Sequence, residues 1–511
     1  MSNSKKVVTN TLFLYIRTIV SLMVSVFTTR ILLHALGASD YGLYNVIGGA
    51  ISMLGFLIAS MSSATQRFLS YAEGAGDRNR IIVYLNNSIL IHYGLALFMI
   101  LVFAVSALFF FNGVLNIPEG RHGAAIIIYI CMLVSTVFSI TIVPYDAEIN
   151  AHENMLFYSV LGIIDVMFKL SIALAVLYFH SDKLIFYSVL MAAESFVLRY
   201  ICQQYCKRHY SECRHINLRK YYNKKIVKEL TSFAGWNLSN VATGMLALYG
   251  MNIVINHYFG TGVNAAMGIA TQLSGVMMGV SMNMIKAITP VLVKAEGGKQ
   301  RQRMLDISYV SCKFSYLLFS FACLPVLFFL PKILSTWLTS VPQWTSSFCT
   351  VLVIATLVEQ LTIVLYQSIL AVGDIRNYNV VHSIANILSL FLNVIVFHYF
   401  RLPPYWVFIN WLVFKSILGG AINLYYAHEK LELSFSRYVQ SVIFPSALST
   451  LASVVLGVLL VRFCHTYQVN DLIGVVVMFV IMAPIFWVAS LTEGERSLFL
   501  SFFQKTKKLC I

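Results

Sequence analysis

The chain has 511 residues, of which 59% are hydrophobic and 11% charged, with a mean hydropathy of +0.77 and a formal net charge of +15. Soluble domains carry about a quarter charged residues, so this composition excludes a water-soluble globular protein, and no soluble segment is long enough to serve as a nucleic-acid-binding domain. The chain reads as an all-α polytopic membrane protein.

Apolar runs of about 20 residues or more, each able to cross a hydrocarbon core of roughly 30 Å as a helix, fall at 11–34, 42–69, 85–112, 123–145, 157–180, 184–205, 231–256, 264–293, 306–330, 346–371, 378–400, 404–427, 440–463 and 471–491. They predict about fourteen transmembrane helices. The first is not a cleavable signal peptide, because its apolar stretch is too long, Arg17 and Arg30 interrupt it and no small-x-small site follows. Pro144, Pro290, Pro325, Pro445 and Pro484 each remove an intrahelical donor and are expected kink sites. Cys202, Cys206 and Cys213 lack zinc spacing and a paired CxxC, and the other cysteines form no framework. No disulfide, metal or cofactor is expected.

Basic residues fix the expected orientation. With a cytoplasmic amino terminus, roughly 23 Lys and Arg fall on inner segments, against only Arg121, Lys183, Lys332 and Arg401 on outer ones. Both termini are therefore expected inside. The net positive charge records topology and attracts anionic lipid headgroups.

Residues 34–80 recur as 257–303 at a constant offset of 223, without a gap. His34, Gly37, Met61, Ala64, Leu69, Ala72, Glu73, Gly74, Arg78 and Arg80 match His257, Gly260, Met284, Ala287, Leu292, Ala295, Glu296, Gly297, Arg301 and Arg303, and both copies end in an AEG loop. The offset crosses an even number of spans, so the copies share one orientation and form a parallel repeat. This predicts an N-terminal six-helix bundle (1–205), a basic cytoplasmic linker (206–230), a second six-helix bundle (231–427), and two accessory helices with a basic tail (428–511).

Parallel bundles of this kind are a transporter architecture, with a site expected between them near the midplane. Helical spacing picks out polar stripes. The first span carries Arg17, Ser21, Ser25 and Thr28, and its repeat mate carries Asn237, Asn240, Thr243, Gly244 and Gly250. The eighth carries Gly268, Thr271, Gln272, Gly275, Gly279, Asn283, Lys286 and Pro290. Arg17, Lys286, Asn240, Gln272, Asn283 and Arg30 are the cavity candidates. A cation within a membrane helix costs at least about 2.5 kcal/mol on insertion scales, so it faces protein or water, or snorkels to the interface. Arg30, near the outer end, also fits an interface anchor.

Asp165 and Lys169 form an i,i+4 pair that can neutralise itself on one helix face. Glu359 has no such partner and is protonated, paired across helices, or part of a coupling-ion path. These three are the ion-coupling candidates. The acidic loop YDAEINAHEN supplies Asp146 and Glu148, expected to bridge to the AEG-loop arginines Arg78 and Arg301 as a cytoplasmic gate.

The stretch RILLHALGASDYGLYNVIGG at 30–49, with its G-x-x-D-Y-G at 37–42 behind an arginine-bearing first span, resembles the multidrug/oligosaccharidyl-lipid/polysaccharide exporter superfamily, and within it the Wzx-type polysaccharide repeat-unit flippases of bacteria. The resemblance covers roughly residues 5–430 in helix number and layout. It implies transfer of an undecaprenyl-diphosphate-linked oligosaccharide from the inner to the outer leaflet of the cytoplasmic membrane for O-antigen or related polysaccharide synthesis. Arg17 and Lys286 are then the basic cavity candidates. The implied partners are that lipid-linked oligosaccharide diphosphate, membrane lipids and a polysaccharide polymerase. Three other readings stay open: a cation-coupled multidrug antiporter, which would want a cavity carboxylate that residues 7–39 lack; a membrane enzyme of the same pathway, for which only His152 with Glu153 qualifies; and a scaffold, which leaves the embedded charges unexplained.

Overall fold

The computed structural model describes residues 2–52, 54–111, 117, 120–338 and 340–497. Lys505, Lys507, Lys508 and Cys510 of the expected tail lie outside them. The described residues are almost entirely helical, in two compact units.

The first unit is built from Thr9–Leu238. It contains nearly all of α1 (Ser2–Ser52), α2 (Gly55–Gly74), α3 (Arg78–Phe109), α4 (His122–Ala151), α5 (Met155–Tyr178), α6 (Lys183–His209), a 3-10 turn (Glu212–Arg214) and the start of α7 (Lys224–Gly297). The second unit, chiefly Ser239–Glu296 and Gln300 onward, contains the rest of α7, α8 (Arg301–Phe328), α9 (Leu330–Trp337), α10 (Thr345–Gln360), α11 (Ile363–Val372), α12 (Arg376–Tyr399), α13 (Trp406–Trp411), α14 (Gly419–Leu431), α15 (Phe435–Tyr438), α16 (Phe444–Thr466) and α17 (Asp471–Ala489). Short π-helical segments join α13 to α14 and α15 to α16.

Among the described residues, eleven helices are individually long and apolar enough to cross a membrane, and α10 with α11, bent by 43°, makes a twelfth. The expected fourteen differ because two breaks are hidden in continuous helix. As one rod, α7 would be about 110 Å long at 1.5 Å per residue, several times a hydrocarbon core. It turns at Gly260 (φ 80°, ψ −179°), and α1 turns at Gly37 (φ 77°, ψ 166°). These are equivalent positions of the repeat. Their backbone lies in a region essentially confined to glycine, and no atom lies within 4 Å of where a Cβ would be, so the constraint is conformational rather than steric. The second arm of α1 continues through a break near Leu54 into α2, together forming the expected second span. The helices run on through Pro144, Pro290, Pro325 and Pro484, and Pro445 lies in the first turn of α16. The α10–α11 bend falls at Leu361–Thr362, without a proline.

The first arm of α1 is two-faced. Ile19, Met23, Val26 and Phe27, at three- and four-residue steps, are 58–69% exposed, as expected of side chains that face lipid. Arg17, Ser21, Ser25 and Thr28 occupy the opposite side. Behind the second arm, Leu43, Ile47 and Ile51 pack with Phe103 of α3 and Ile128 and Tyr129 of α4 in one apolar core.

The 206–230 segment is stapled to the first unit. Asn86 donates to the His215 carbonyl (3.1 Å) and accepts from the Asn217 N–H (2.8 Å); Asn87 does the same with Tyr221 (2.8 Å) and Asn223 (3.0 Å). Each buried carboxamide thus replaces a backbone partner in both senses. In the second unit, polar side chains tie the helices, as they do in bilayers: the hydroxyls of Ser308 and Ser368 pair (2.7 Å), as do those of Ser274 and Thr356 (3.0 Å), and Ser315 donates to the Gln360 carboxamide oxygen (2.8 Å).

Candidate functional site

A cavity of about 500 Å³ opens within the first unit. Its wall is α1, from Arg17 through Thr18, Ser21, Ser25, Thr28 and Thr29 to Tyr41, Tyr44 and Asn45 beyond the Gly37 turn, completed by Lys169 of α5 and Tyr187 of α6. The lining holds two cations and no carboxylate. The wall of this cavity comes from one unit alone.

The lining chemistry is directional. Thr18, Ser25, Thr28 and Thr29 donate their hydroxyl hydrogens to carbonyls of α1 at 2.9–3.0 Å. Hydroxyls committed in this way meet a ligand as acceptors. The guanidinium of Arg17 lies over the Tyr158 ring, 4.7 Å from its centroid, and beside Gly162, where any Cβ would stand 2.7 Å from Arg17 Cδ and Cζ. Among the described residues no carboxylate pairs with Arg17. Lys169, by contrast, is paired with Asp165 (2.7 Å) on its own helix, and Glu194 of α6 adjoins that pair.

The G-x-x-D-Y-G stretch acquires distinct physical roles. Gly37 makes the turn, Tyr41 faces the cavity, and Asp40 takes the Arg121 guanidinium, which also bonds Asp182 (2.7 Å), the cap of α6. The turn of α1 is thus anchored to the ends of α4 and α6. The cognate positions of the second copy, Val263, Asn264 and Ala265, carry none of these groups.

The remaining cavity candidates fall elsewhere. Arg30 is exposed and outside the lining. Asn240, the repeat mate of Arg17, lies in the second unit in an amide cluster with Asn379 (3.3 Å) and Asn386 (3.4 Å) of α12. Lys286 and Asn283 are half-buried on α7, and Gln272 is exposed. Glu359 accepts from Trp411 Nε1 (3.0 Å) and Ser416 (3.2 Å), with Lys415 nearby, so its partners come from a neighbouring helix.

Of the gate candidates, Arg301, Asp146 and Glu148 have the following partners. Arg301 grips Glu296 of its own AEG loop (2.7 Å) and the Lys430 carbonyl at the end of α14. Arg78 is exposed at the start of α3. Asp146 accepts from Cys202 (3.5 Å), and Glu148 is 1% exposed against His152 (3.2 Å). His152 also meets Glu212 (2.6 Å) and Glu73 (3.6 Å). Burial alone would lower the His152 pKa, yet hydrogen bonds to Glu148 and Glu212 carry it up to about 9. Burial opposes ionisation of Glu212, but its hydrogen bond to His152 holds it below the usual carboxylate range. Sequence spacing hid Glu73 and Glu212 as partners of His152, and also Lys313, which is 3% exposed and paired with Glu495 (2.7 Å). Each joins residues distant in the chain.

No family model matches the chain. A 101-residue stretch is 28% identical to EpsK of Bacillus subtilis (strain 168), described as an uncharacterized membrane protein, and the match spans 20% of each chain. Solved structures are similar over most of the length. An outward-facing MATE family multidrug resistance transporter of the MOP superfamily superposes with a TM-score of 0.69 at 11% identity, over 83% of this chain and 95% of that one. A MOP superfamily transporter from Pyrococcus furiosus, reported for the reverse polarity of its binding pocket, gives 0.70 at 12% identity, over 83% and 96%. A MATE structure in a straight conformation gives 0.69 at 13%, over 84% and 96%. The protein is a multi-pass membrane protein whose fold is similar to that of these solved structures. That fold, shared with MATE transporters, is what the likeness defines.

Proposed function

We propose that this transporter moves an undecaprenyl-diphosphate-linked oligosaccharide from the inner to the outer leaflet of a bacterial cytoplasmic membrane, with both termini cytoplasmic, for surface polysaccharide synthesis. One observation carries the reading: a cavity lined by Arg17 and Lys169, with no carboxylate on its wall. A diphosphate needs cations, and a guanidinium meets it through charge-assisted, bidentate hydrogen bonds. Saccharide hydroxyls need acceptors, which the committed hydroxyls of α1 supply. The polyprenyl chain stays among lipids, and a polymerase acting on the delivered unit is the downstream partner.

A MATE-type cation exporter shares the fold, but an organic cation requires a carboxylate facing it. The two are separated by reconstituting the chain in liposomes and offering a lipid-linked oligosaccharide diphosphate or a cationic dye. Translocation of the first and not the second supports the proposal; the reverse overturns it.

A further inference from the structure

One imidazole and three carboxylates meet at the end of the first unit, away from the cavity. His152 follows α4, its ring stacked on Tyr210 at 4.1 Å and 7°. Its Nε2 faces two acids, Glu212 Oε1 at 2.6 Å and Glu148 Oε1 at 3.2 Å, while its Nδ1 faces Glu73 Oε1 at 3.6 Å. A single N–H on Nε2 cannot satisfy both acids. Glu148 is 1% exposed, and its second oxygen, Oε2, is buried with no hydrogen-bond partner. An unsatisfied carboxylate oxygen in such a place is costly, and a bound cation would relieve it.

The charges point to what is missing. Metal binding displaces the proton of the ligating nitrogen, and the two negative charges of ionised Glu148 and Glu212 are then balanced by one divalent cation. The ligand atoms of Glu148, His152 and Glu212 all lie within 4.8 Å of one another. Around a tetrahedral ion with bonds of about 2.0–2.2 Å, ligand atoms stand roughly 3.3–3.6 Å apart; the 3.2 Å contact of Glu148 with His152 is close to this, and the 2.6 Å contact of Glu212 must open by several tenths of an ångström. Glu73 at Nδ1 matches the outer carboxylate that fixes the tautomer of a metal-bound histidine. A mixed imidazole and carboxylate set suits zinc better than magnesium or calcium.

We propose that Glu148, His152 and Glu212 bind a zinc-class divalent ion, with Glu73 orienting the histidine, so that the ion clamps the 206–230 segment to α2 and α4. The acids come from α2, α4 and the Glu212–Arg214 turn, which makes the site a cross-link between them. Three buried thiols, Cys202, Cys206 and Cys213, lie close to one another in the same region and are the rival zinc ligands.

The full-length chain, stripped with chelator in detergent and dialysed against micromolar Zn²⁺ with excess Mg²⁺, should retain about one zinc ion per chain. Glu148→Gln and Glu212→Gln should each weaken retention at least tenfold. Glu73→Gln should weaken it about tenfold, as outer-sphere changes do. The Cys202→Ser/Cys206→Ser/Cys213→Ser chain should retain zinc, and the cobalt form of the unaltered protein should lack a thiolate charge-transfer band. Failure of the unaltered chain to retain zinc would overturn the proposal, whatever the folding of the variants. So would loss of zinc in the cysteine variant accompanied by a thiolate band in the unaltered protein.

Discussion

Arg17 occupies the space that a side chain at residue 162 would need. An ideal Cβ on Gly162 would stand 2.7 Å from both Cδ and Cζ of the arginine. The glycine is a cradle, and with the Tyr158 ring it aims a cation along the cavity wall. Gly162→Val should displace the guanidinium and lower transport at least tenfold while the protein still inserts normally. Arg17→Ala should do the same by removing the charge. Arg17→Lys should recover only part of the activity, because an ammonium lacks the bidentate fork. Initial rates in proteoliposomes at matched protein density check all three.

Gly37 and Gly260 should respond alike to substitution. Both hold a backbone conformation that a Cβ disfavours by about 1–3 kcal/mol. Gly37→Ala and Gly260→Ala should each lower the midpoint of thermal unfolding in detergent. The space around both is open, so a larger side chain should add little beyond the alanine penalty.

Lys313 and Glu495 form a nearly buried ion pair between α8 and the segment after α17. Removing one partner from such a pair costs about 3–5 kcal/mol, whereas apolar replacement of both is often neutral. Lys313→Ala should therefore be strongly destabilising. Lys313→Met with Glu495→Leu should restore most of the loss. Detergent unfolding of the two single variants and the double variant measures the coupling.

The basic segment should be protected from trypsin in the unaltered protein because Asn86 and Asn87 hold its backbone. Asn86→Ala and Asn87→Ala each leave backbone groups unsatisfied, at about 1–3 kcal/mol. Cleavage between residues 207 and 225, followed by mass spectrometry, should accelerate in both variants.

Much of this was legible in sequence for identifiable reasons. Hydropathy reported the bilayer, because lipid leaves faces such as Ile19, Met23, Val26 and Phe27 apolar and exposed. Three-and-four spacing grouped Arg17, Ser21, Ser25 and Thr28, which share one wall. The repeat aligned Gly37 with Gly260, although nothing in periodicity disclosed that both turn the chain within continuous helix. What stayed hidden depends on contacts between distant segments. Helical spacing could not show that His152 gathers Glu73 and Glu212, that Arg301 is engaged by Glu296 and Lys430, or that the pocket is walled by one unit.

The most direct test of the account is leaflet transfer of a lipid-linked oligosaccharide diphosphate in liposomes holding only this protein, read by accessibility of the saccharide to an impermeant lectin or glycosidase. Rapid transfer that Arg17→Ala abolishes, with no transport of cationic dyes, is the expected result. Transfer no faster than in protein-free liposomes, together with dye export that survives Arg17→Ala, would contradict it.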